Sequence, residues 1–575
     1  MKRSFLSLPM AILLSLVLSI PLLVFAQDKP TDDNRDNGTR LGKPAAGSVS
    51  ANRNRSKKSA AAADIEQDLT EALSLIEDNY VDGKKLDYNT VFKSSIIGML
   101  HTLDPHSNYF DREEFDELKT EQRSEYFGIG ASIQNQAANG KADTYVTATF
   151  EGSPAAKAGL RFGDRITAVD GVDMHGKSSA DVRDKIRGPR GSVVKVTIER
   201  ASDNATQTVD LTRDVVPQPS VPDAYMIRPG VGYVDMTRGF NFSTADELQN
   251  ALQFLHSQGM TSLVLDLRNN PGGFLDQAIR VSEIFLKQGQ LVLTQKGKTG
   301  YSEKNYKSTN ANPDTTPLVV LVNGNTASAS EIVSGAMQDH DRAVIVGQTS
   351  FGKGLVQGIF QLDYGTGLTL TTAKYYTPSG RLIQRDYSNA SFYDYYTKGG
   401  LSRDSTDVPS KQPAGPETHT DAGRAVFGGG GIAPDEVIKP RVISQAQARL
   451  LNPLFFFARD LANGRVNGFD SFKVPGQINF NHRVEPKDFV VSDQLFQAFK
   501  QFALKDPTWK ATAQLIDKNR DFVNIQLRFE MVTAAFGRVT ADQVLVLDDP
   551  QVARAVDVVP RARELAQAFR DRRLP

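Results

Sequence analysis

Apolar residues recur at three- and four-residue spacing from Ile65 through Leu69, Leu73, Leu75 and Ile76, and again through Val91, Ile96, Ile97, Met99 and Leu100. That spacing predicts two or three short helices, ended by a turn at Asp104-Pro105-His106. Between Glu125 and Arg200 the period changes. Alternating runs such as Tyr145-Val146-Thr147-Ala148 and Val193-Val194-Lys195-Val196-Thr197-Ile198 are broken by glycines at 128, 130, 152, 159, 163, 171, 188 and 191, which predicts a small β-rich domain. From Val231 to about Ile383, unbroken apolar runs such as Ser262–Leu267, Leu318–Val322 and Ala343–Val346 alternate with helical stretches near Ala245–His256 and Ser330–Asp339. This pattern predicts an α/β layered domain. Residues from Tyr387 to Gly431 are rich in Ser, Asp, Thr, Pro and Gly and read as a long surface excursion. Beyond Val442, apolar positions in Leu451–Leu461, Leu495–Leu504, Ala511–Ile516 and Val523–Phe536 predict a mainly helical accessory region in which no chemistry stands out.

The first residues carry a different signal. Lys2 and Arg3 precede an apolar run from Phe5 to Phe25 that ends in Val24-Phe25-Ala26, a small-x-small cleavage pattern. A signal peptide over 1–26 is expected. An uncleaved anchor is the alternative, because the run could span a bilayer, and Pro9, Pro21 and the Ala26 site favour cleavage. Both readings export the folded part to the bacterial periplasm or cell envelope. Residues 27–62 contain almost no large apolar side chain, so burial cannot offset their ordering entropy and a disordered linker is expected. The remaining boundaries are a helical region over 63–119, the β-rich domain over 120–215, the layered domain over 216–440 with its excursion at 387–430, and the helical region over 441–575.

Composition narrows the chemistry. A chain of 575 residues is too long for one core. Its 67 basic and 67 acidic residues lack the electrostatic footprint of a nucleic-acid binder, which leaves a protein partner. With no cysteine, disulfides, thiolate catalysis, zinc fingers and iron–sulfur clusters are excluded. HExxH and GxSxG are absent and the seven histidines lack metal-ligand spacing, so no metal site is expected.

Three segments could do chemistry. In Leu321–Glu331 a buried strand ends in small residues before a helix begins, so Ser328 would sit beside backbone N–H groups and the positive end of a helix, able to stabilise an oxyanion. The plainer reading makes Ser328 or Ser330 an N-cap with Glu331 in the first turn. In Gly347–Gly354 a single lysine, Lys353, lies between two glycines after the next strand. As a general base it must be neutral near pH 7, a shift of about three units from ~10.4 that desolvation can supply. The same segment fits GxxxxGK, but Gly354 stands where a P-loop needs Ser or Thr, and Leu355–Leu362 reads as strand rather than helix. In Asp266-Leu267-Arg268-Asn269-Asn270-Pro271-Gly272-Gly273 a strand stops at a glycine pair whose bare amides could meet a ligand oxygen, or simply form a turn.

Together these segments resemble the carboxyl-terminal processing proteases, or tail-specific proteases, whose signatures include DLRNNPGG, SASE and FGKG in this order. The resemblance extends to Leu103-Asp104-Pro105-His106-Ser107, Lys374–Arg381 and Gly431-Ile432-Ala433-Pro434-Asp435, and runs from about Ile65 to Lys439. It implies Ser328 as nucleophile, Lys353 as general base, Gln357 in support, and an oxyanion hole from the backbone N–H groups of Ala329, Gly272 and Gly273; Ser330 becomes structural. It also implies a crotonase-like α/β protease domain preceded by a PDZ domain, within a multidomain α/β and α+β chain. The PDZ markers are Tyr126-Phe127-Gly128-Ile129-Gly130, similar to a carboxylate-binding loop, with Gly152–Leu160 and Gly163-Asp164-Arg165-Ile166. Phe127, Gly128, Ile129 and Gly130 would grip a terminal carboxylate while the tail adds a strand to the sheet edge; a plain glycine-rich hairpin is the alternative.

The expected protein is thus an exported serine endopeptidase that takes substrates by free, apolar C-termini and works through an acyl-enzyme without a cofactor. An inactive PDZ scaffold and a nucleotide binder are the other classes. The excursion and the region after Val442 lie outside the signatures. Helical extensions in the family often mediate assembly, so a homo-oligomer and an adaptor protein are further partners to consider.

Overall fold

The computed structural model describes residues 62–572, apart from 83–84, 86, 123–124, 299–302, 389–394, 397–414 and 481. The expected signal peptide and all but the last residue of the linker lie outside the described residues. Among those described, no helix is long and apolar enough to cross a membrane.

Two helices open the described residues, α1 (Ala62–Asn79) and α2 (Tyr88–His101), the latter capped by Asp87, whose carboxylate accepts from the Asn89 N–H. Ile65, Leu69, Leu75, Ile76, Phe92 and Met99 stay exposed on them. This region is not purely helical. Asn108–Phe110 forms a strand that pairs antiparallel with a long strand of the layered domain, joining the two units.

The β-rich domain takes its shape from alternation and tight turns. Strands β1 (Ala131–Ala138) and β2 (Lys141–Thr149) meet at Asn139-Gly140, both at positive φ (51° and 73°), the backbone that a two-residue hairpin of the favoured hand requires. Helix α3 (Ser179–Ile186) starts with a complete Ser178/Asp181 capping box. Inward residues of the alternating strands, among them Val146, Ile166, Val194, Val196 and Ile198, bury a core with Ile129, Leu160 and Val182. In the five-strand order that starts β1, β2, strand β1 lies at the end.

The layered domain is built on a parallel run of β3 (Val231–Asp235), β4 (Ser262–Asp266), β5 (Leu318–Val322) and β6 (Ala343–Gly347), flanked by edge strands Asp223–Arg228 and Glu436–Val437. β4, β5 and β6 are buried at every position, so both faces need a cover. On one face lie helices Thr244–Ser257, Leu275–Phe285 and α4 (Ala329–Asp339), with Leu248, Val281, Phe285, Ile332 and Val333 packed on Leu265, Leu318, Val320 and Ile345. The other face, Val264, Val319, Leu321, Val344 and Val346, is covered by Val552, Ala555, Val558, Val559 and Ala562. Those residues belong to the C-terminal helices α6 (Pro550–Asp557) and α7 (Val559–Asp571) and the link between them.

The accessory reading of the C-terminal region is therefore corrected: it is mainly helical, but it supplies the second helical layer of the parallel sheet. Its other half grips the β-rich domain. Helix α5 (Leu451–Ala462) and its neighbours bury Leu454, Phe455, Phe457 and Leu461 with Tyr145 and Phe162, and Arg459 Nε donates to Gly163 O at 2.7 Å. After Lys353 the chain runs as strand, as expected, through β7 (Leu355–Gln361) and β8 (Gly367–Tyr376).

Candidate active site

Ser328 lies where β5 gives way to α4. Thr326 sets the turn: its hydroxyl donates to Leu267 O (2.8 Å) and accepts the Asn323 N–H (2.9 Å). Ser328 holds the N-cap position of α4 with Glu331 at the third helical residue, so the plainer reading of its place is correct. Its backbone is another matter. Ser153, Ser178, Ser444 and Ser492 cap their helices in extended conformations near φ −70° and ψ 152° to 165°. Ser328 has φ 56° and ψ −114°, a region in which a residue with a Cβ is strained by about 1–3 kcal/mol. A simple cap needs no such strain.

The turn is tied to the loop that carries Lys353 by Glu331, which is fully buried. Its carboxylate accepts the N–H groups of Ser328 (2.8 Å), Gly352 (2.6 Å) and Lys353 (2.9 Å) and the Ser350 hydroxyl. Burial pushes the Glu331 carboxyl above the ordinary carboxylate range while these donors pull it back. A second tie is Tyr375, whose hydroxyl lies 2.7 Å from Lys353 O and 3.0 Å from Ser328 O, so one proton is shared between the two loops. Burial holds this phenol protonated. Sequence reasoning placed Glu331 in a first turn and Tyr375 in a signature, and gave neither a role.

Desolvation lowers the Lys353 amine to about 8, against the opposing pull of Asp104 and Glu331. The Lys353 loop is enclosed by aromatics. Phe351 is buried against Ala327 and Tyr395, and the Arg385 guanidinium lies 3.7 Å above the Phe351 ring. His106 is hydrogen-bonded through Nε2 to the Tyr395 hydroxyl (2.9 Å) and through Nδ1 to that of Tyr396 (3.1 Å). Burial and the charges of Lys353 and Arg385 push the imidazole well below its usual range. Tyr395 and Tyr396 belong to the surface excursion, so part of it returns to the site. The Ser328 and Lys353 side chains are not hydrogen-bonded to each other.

Gln357 Nε2 donates to Thr371 Oγ1 (2.8 Å), the Thr371 N–H donates to Ser107 Oγ (3.1 Å), and Ser107 Oγ donates to Asp104 (2.7 Å). Gln357 thus reaches the Asp104 turn through two residues rather than Ser328 or Lys353 directly. Ser330 donates to Asn270 O (3.1 Å), a structural contact.

The Gly272-Gly273 turn lies directly on Ser328. A Cβ at Gly272 would sit 2.7 Å from Ala327 O, 2.8 Å from Ala329 N and 2.8 Å from Ser328 Cβ. One expectation needs correcting: the Gly272 N–H already donates to Asn270 Oδ1 (2.9 Å). The N–H groups of Gly273 and Ala329 donate to no described residue. Arg268 locks this loop from behind, with both carboxylate oxygens of Asp266 and with Asp549 (2.6 Å) at the start of α6. Gly272→Ala is expected to fill the space in front of the Ala329 N–H and to strain a φ of 94°, lowering kcat by about 10²-fold or more; circular dichroism and kcat on one preparation check it.

In the β-rich domain, Phe127 and Gly128 end a strand paired with Asp214–Pro217. Ile129 is buried and its carbonyl accepts the Ala155 N–H (2.8 Å). Gly130, at φ 72°, has Ser153 Cβ 2.3 Å from where its own Cβ would be. The loop opens directly into the end strand β1.

Residues 230–388 match peptidase family S41, and residues 145–200 match the PDZ domain family. The chain is 38% identical over 302 residues to the carboxy-terminal-processing protease of Bartonella bacilliformis, covering 52% of this chain and 68% of that protein. It is 33% identical over 333 residues to the carboxy-terminal processing protease CtpA of Bacillus subtilis, covering 57% and 69%. Among solved structures it is similar to a photosystem II D1 C-terminal processing protease, at 29% identity and a TM-score of 0.34, covering 64% of this chain and 92% of that one. These matches define a serine-type endopeptidase with a PDZ domain. The chain belongs to the carboxyl-terminal processing proteases.

Proposed function

We propose that Ser328 and Lys353 form the catalytic dyad of this protease and that the PDZ loop delivers substrates to it by their C-terminal tails. Lys353, as neutral amine, removes the Ser328 proton as Oγ bonds to the scissile carbonyl carbon. The Ala329 and Gly273 N–H groups receive the oxyanion, with Gly272 keeping the space clear. The C–N bond then breaks, and the Lys353 ammonium protonates the departing amine. Water next gives a proton to Lys353 and attacks the ester; as the ester C–O bond breaks, the Lys353 ammonium returns that proton to Ser328 Oγ, restoring both groups. Gln357 acts as a positioning residue through Thr371, Ser107 and Asp104. What supports the dyad most is the strained Ser328 backbone, tied through Glu331 to the loop bearing a lysine lowered to about 8.

Phe127, Gly128, Ile129 and Gly130 bind the terminal carboxylate, and the tail extends along β1. Export is part of the same reading, with the domain boundaries drawn above and the region after 441 counted as a layer of the protease. Mature protein from the cell envelope is expected to begin at Gln27. Tail capture is tested with two peptides of one sequence, ending after an apolar residue in a free carboxylate or an amide. The free acid is expected to show a KM lower by about tenfold, and Gly128→Asp to erase that difference with kcat little changed. Equal cleavage of both peptides by the wild type would reject tail capture.

A further inference from the structure

Strand β1 ends its sheet, so the edge away from β2 is where an extended chain can add. Its register fixes which groups face that edge. The two-residue hairpin closes at the Ala138 and Lys141 pair, so pairs alternate back along the strand and the N–H and C=O of Ala137, Asn135 and Ile133 point outward. A tail whose carboxylate sits at Gly128–Gly130 would run antiparallel to β1 and use these groups in turn.

At Ala137 the edge is already occupied, and by the C-terminal region. Asn452 Oδ1 of α5 accepts the Ala137 N–H (2.9 Å), and Trp509 Nε1 donates to Ala137 O (2.6 Å). One turn further, Asp506 accepts the Asn139 N–H. Both backbone groups that an added strand would use at Ala137 are therefore taken. Trp509 is braced by stacked Phe456 and Phe502 (centroids 6.0 and 5.7 Å), and Phe456 meets Tyr145 of β2 edge-on at 5.4 Å. Across the groove, the Asn135 side chain reaches Lys177 O (2.9 Å) and the Ser179 N–H (2.6 Å) at the start of α3. The edge strand is thus held at Ala137 by the C-terminal region and at Asn135 by the start of α3.

We propose that Asn452 and Trp509 set the length of tail that the PDZ domain reads. The groove accepts about the last five residues of an extended peptide, opposite Ala131 to Asn135, and the chain before them is turned off the sheet at the Trp509 and Phe456 wall. These two residues are specificity determinants supplied by the C-terminal region rather than by the PDZ domain. The inference rests on the tail-capture reading.

The test uses peptides of four to nine residues that share one apolar C-terminal sequence and carry N-terminal fluorescein, with Kd from anisotropy. For the full-length wild type, Kd is expected to fall up to about five residues and then stay within about twofold. Asn452→Ala and Trp509→Ala each free an outward group of Ala137, so the nine-residue peptide should bind about tenfold tighter than the five-residue one. Asn452→Ala carries the test alone if Trp509→Ala does not fold. Wild-type affinity that keeps rising to nine residues, or variants that keep the wild-type plateau, would overturn the inference and leave tail capture standing. Failure of every peptide to bind the wild type would overturn tail capture, and this inference with it.

Discussion

Replacing Lys353 with alanine is expected to lower kcat by about 10⁴-fold or more, while KM for a tail peptide stays within a few fold. In the proposed mechanism the amine moves the proton in both acyl transfers, whereas peptide affinity resides at the PDZ loop. The wild-type rate should also report the amine directly. Since the base is the neutral form, kcat/KM is expected to rise between pH 6 and pH 9 with a midpoint near 8. Stability carries a mark of the same group. The folded-state value is depressed below the ordinary 10.5, so between pH 8 and 10.5 the unfolded chain binds more protons and stability rises with pH. Below pH 8 the desolvated ammonium is a cost of about 3 kcal/mol. Lys353→Met should therefore be inactive yet more heat-stable than the wild type at pH 7, an advantage that fades above pH 10.5. A variant that loses activity and stability together at pH 7 would point to a merely structural lysine.

Glu331→Ala is expected to damage both fold and rate. Removing the carboxylate leaves three N–H groups and the Ser350 hydroxyl buried without their acceptor, each costing about 1–3 kcal/mol before relaxation. A net loss of about 3–5 kcal/mol in urea unfolding is expected. In whatever fraction folds, the strained Ser328 backbone loses its tether, and kcat should drop by about 10²-fold or more. Glu331→Gln keeps the shape but presents an N–H pair where donors converge, so it should fall between the two. Unchanged unfolding and turnover in Glu331→Ala would contradict the role given to this residue.

What could be read from the sequence was local. Ser328 and Lys353 each sit in a small-residue turn after a run of buried strand, and such turns announce themselves in a few consecutive residues. The strand after Lys353 was legible for the same reason. What joins the two turns was not. Glu331 reaches Ser350, Gly352 and Lys353 across 19 to 22 positions, and Tyr375 closes its contacts across 22 and 47. Nothing in the pattern of apolar residues encodes those distances. The engaged Gly272 N–H was hidden because Asn270, two residues away, reads as an ordinary turn residue. The layered sheet did carry a signal that its far face needed a cover, in strands apolar at every position. The cover comes from residues 550–571, about 200 positions downstream of β6, and amphipathic spacing does not say which surface it will meet. Arg268 and Asp549, which pin that cover to the Gly272 loop, lie 281 residues apart.

The central claim is tested most directly by the rate at which a serine-directed fluorophosphonate labels the intact protein, with the adduct located by peptide mass. The account predicts one adduct, on Ser328, forming at a rate that rises through pH 8 and falls by orders of magnitude in Lys353→Ala. An adduct elsewhere, or a Ser328 labelling rate that is flat from pH 6 to 9 and indifferent to Lys353, would contradict it.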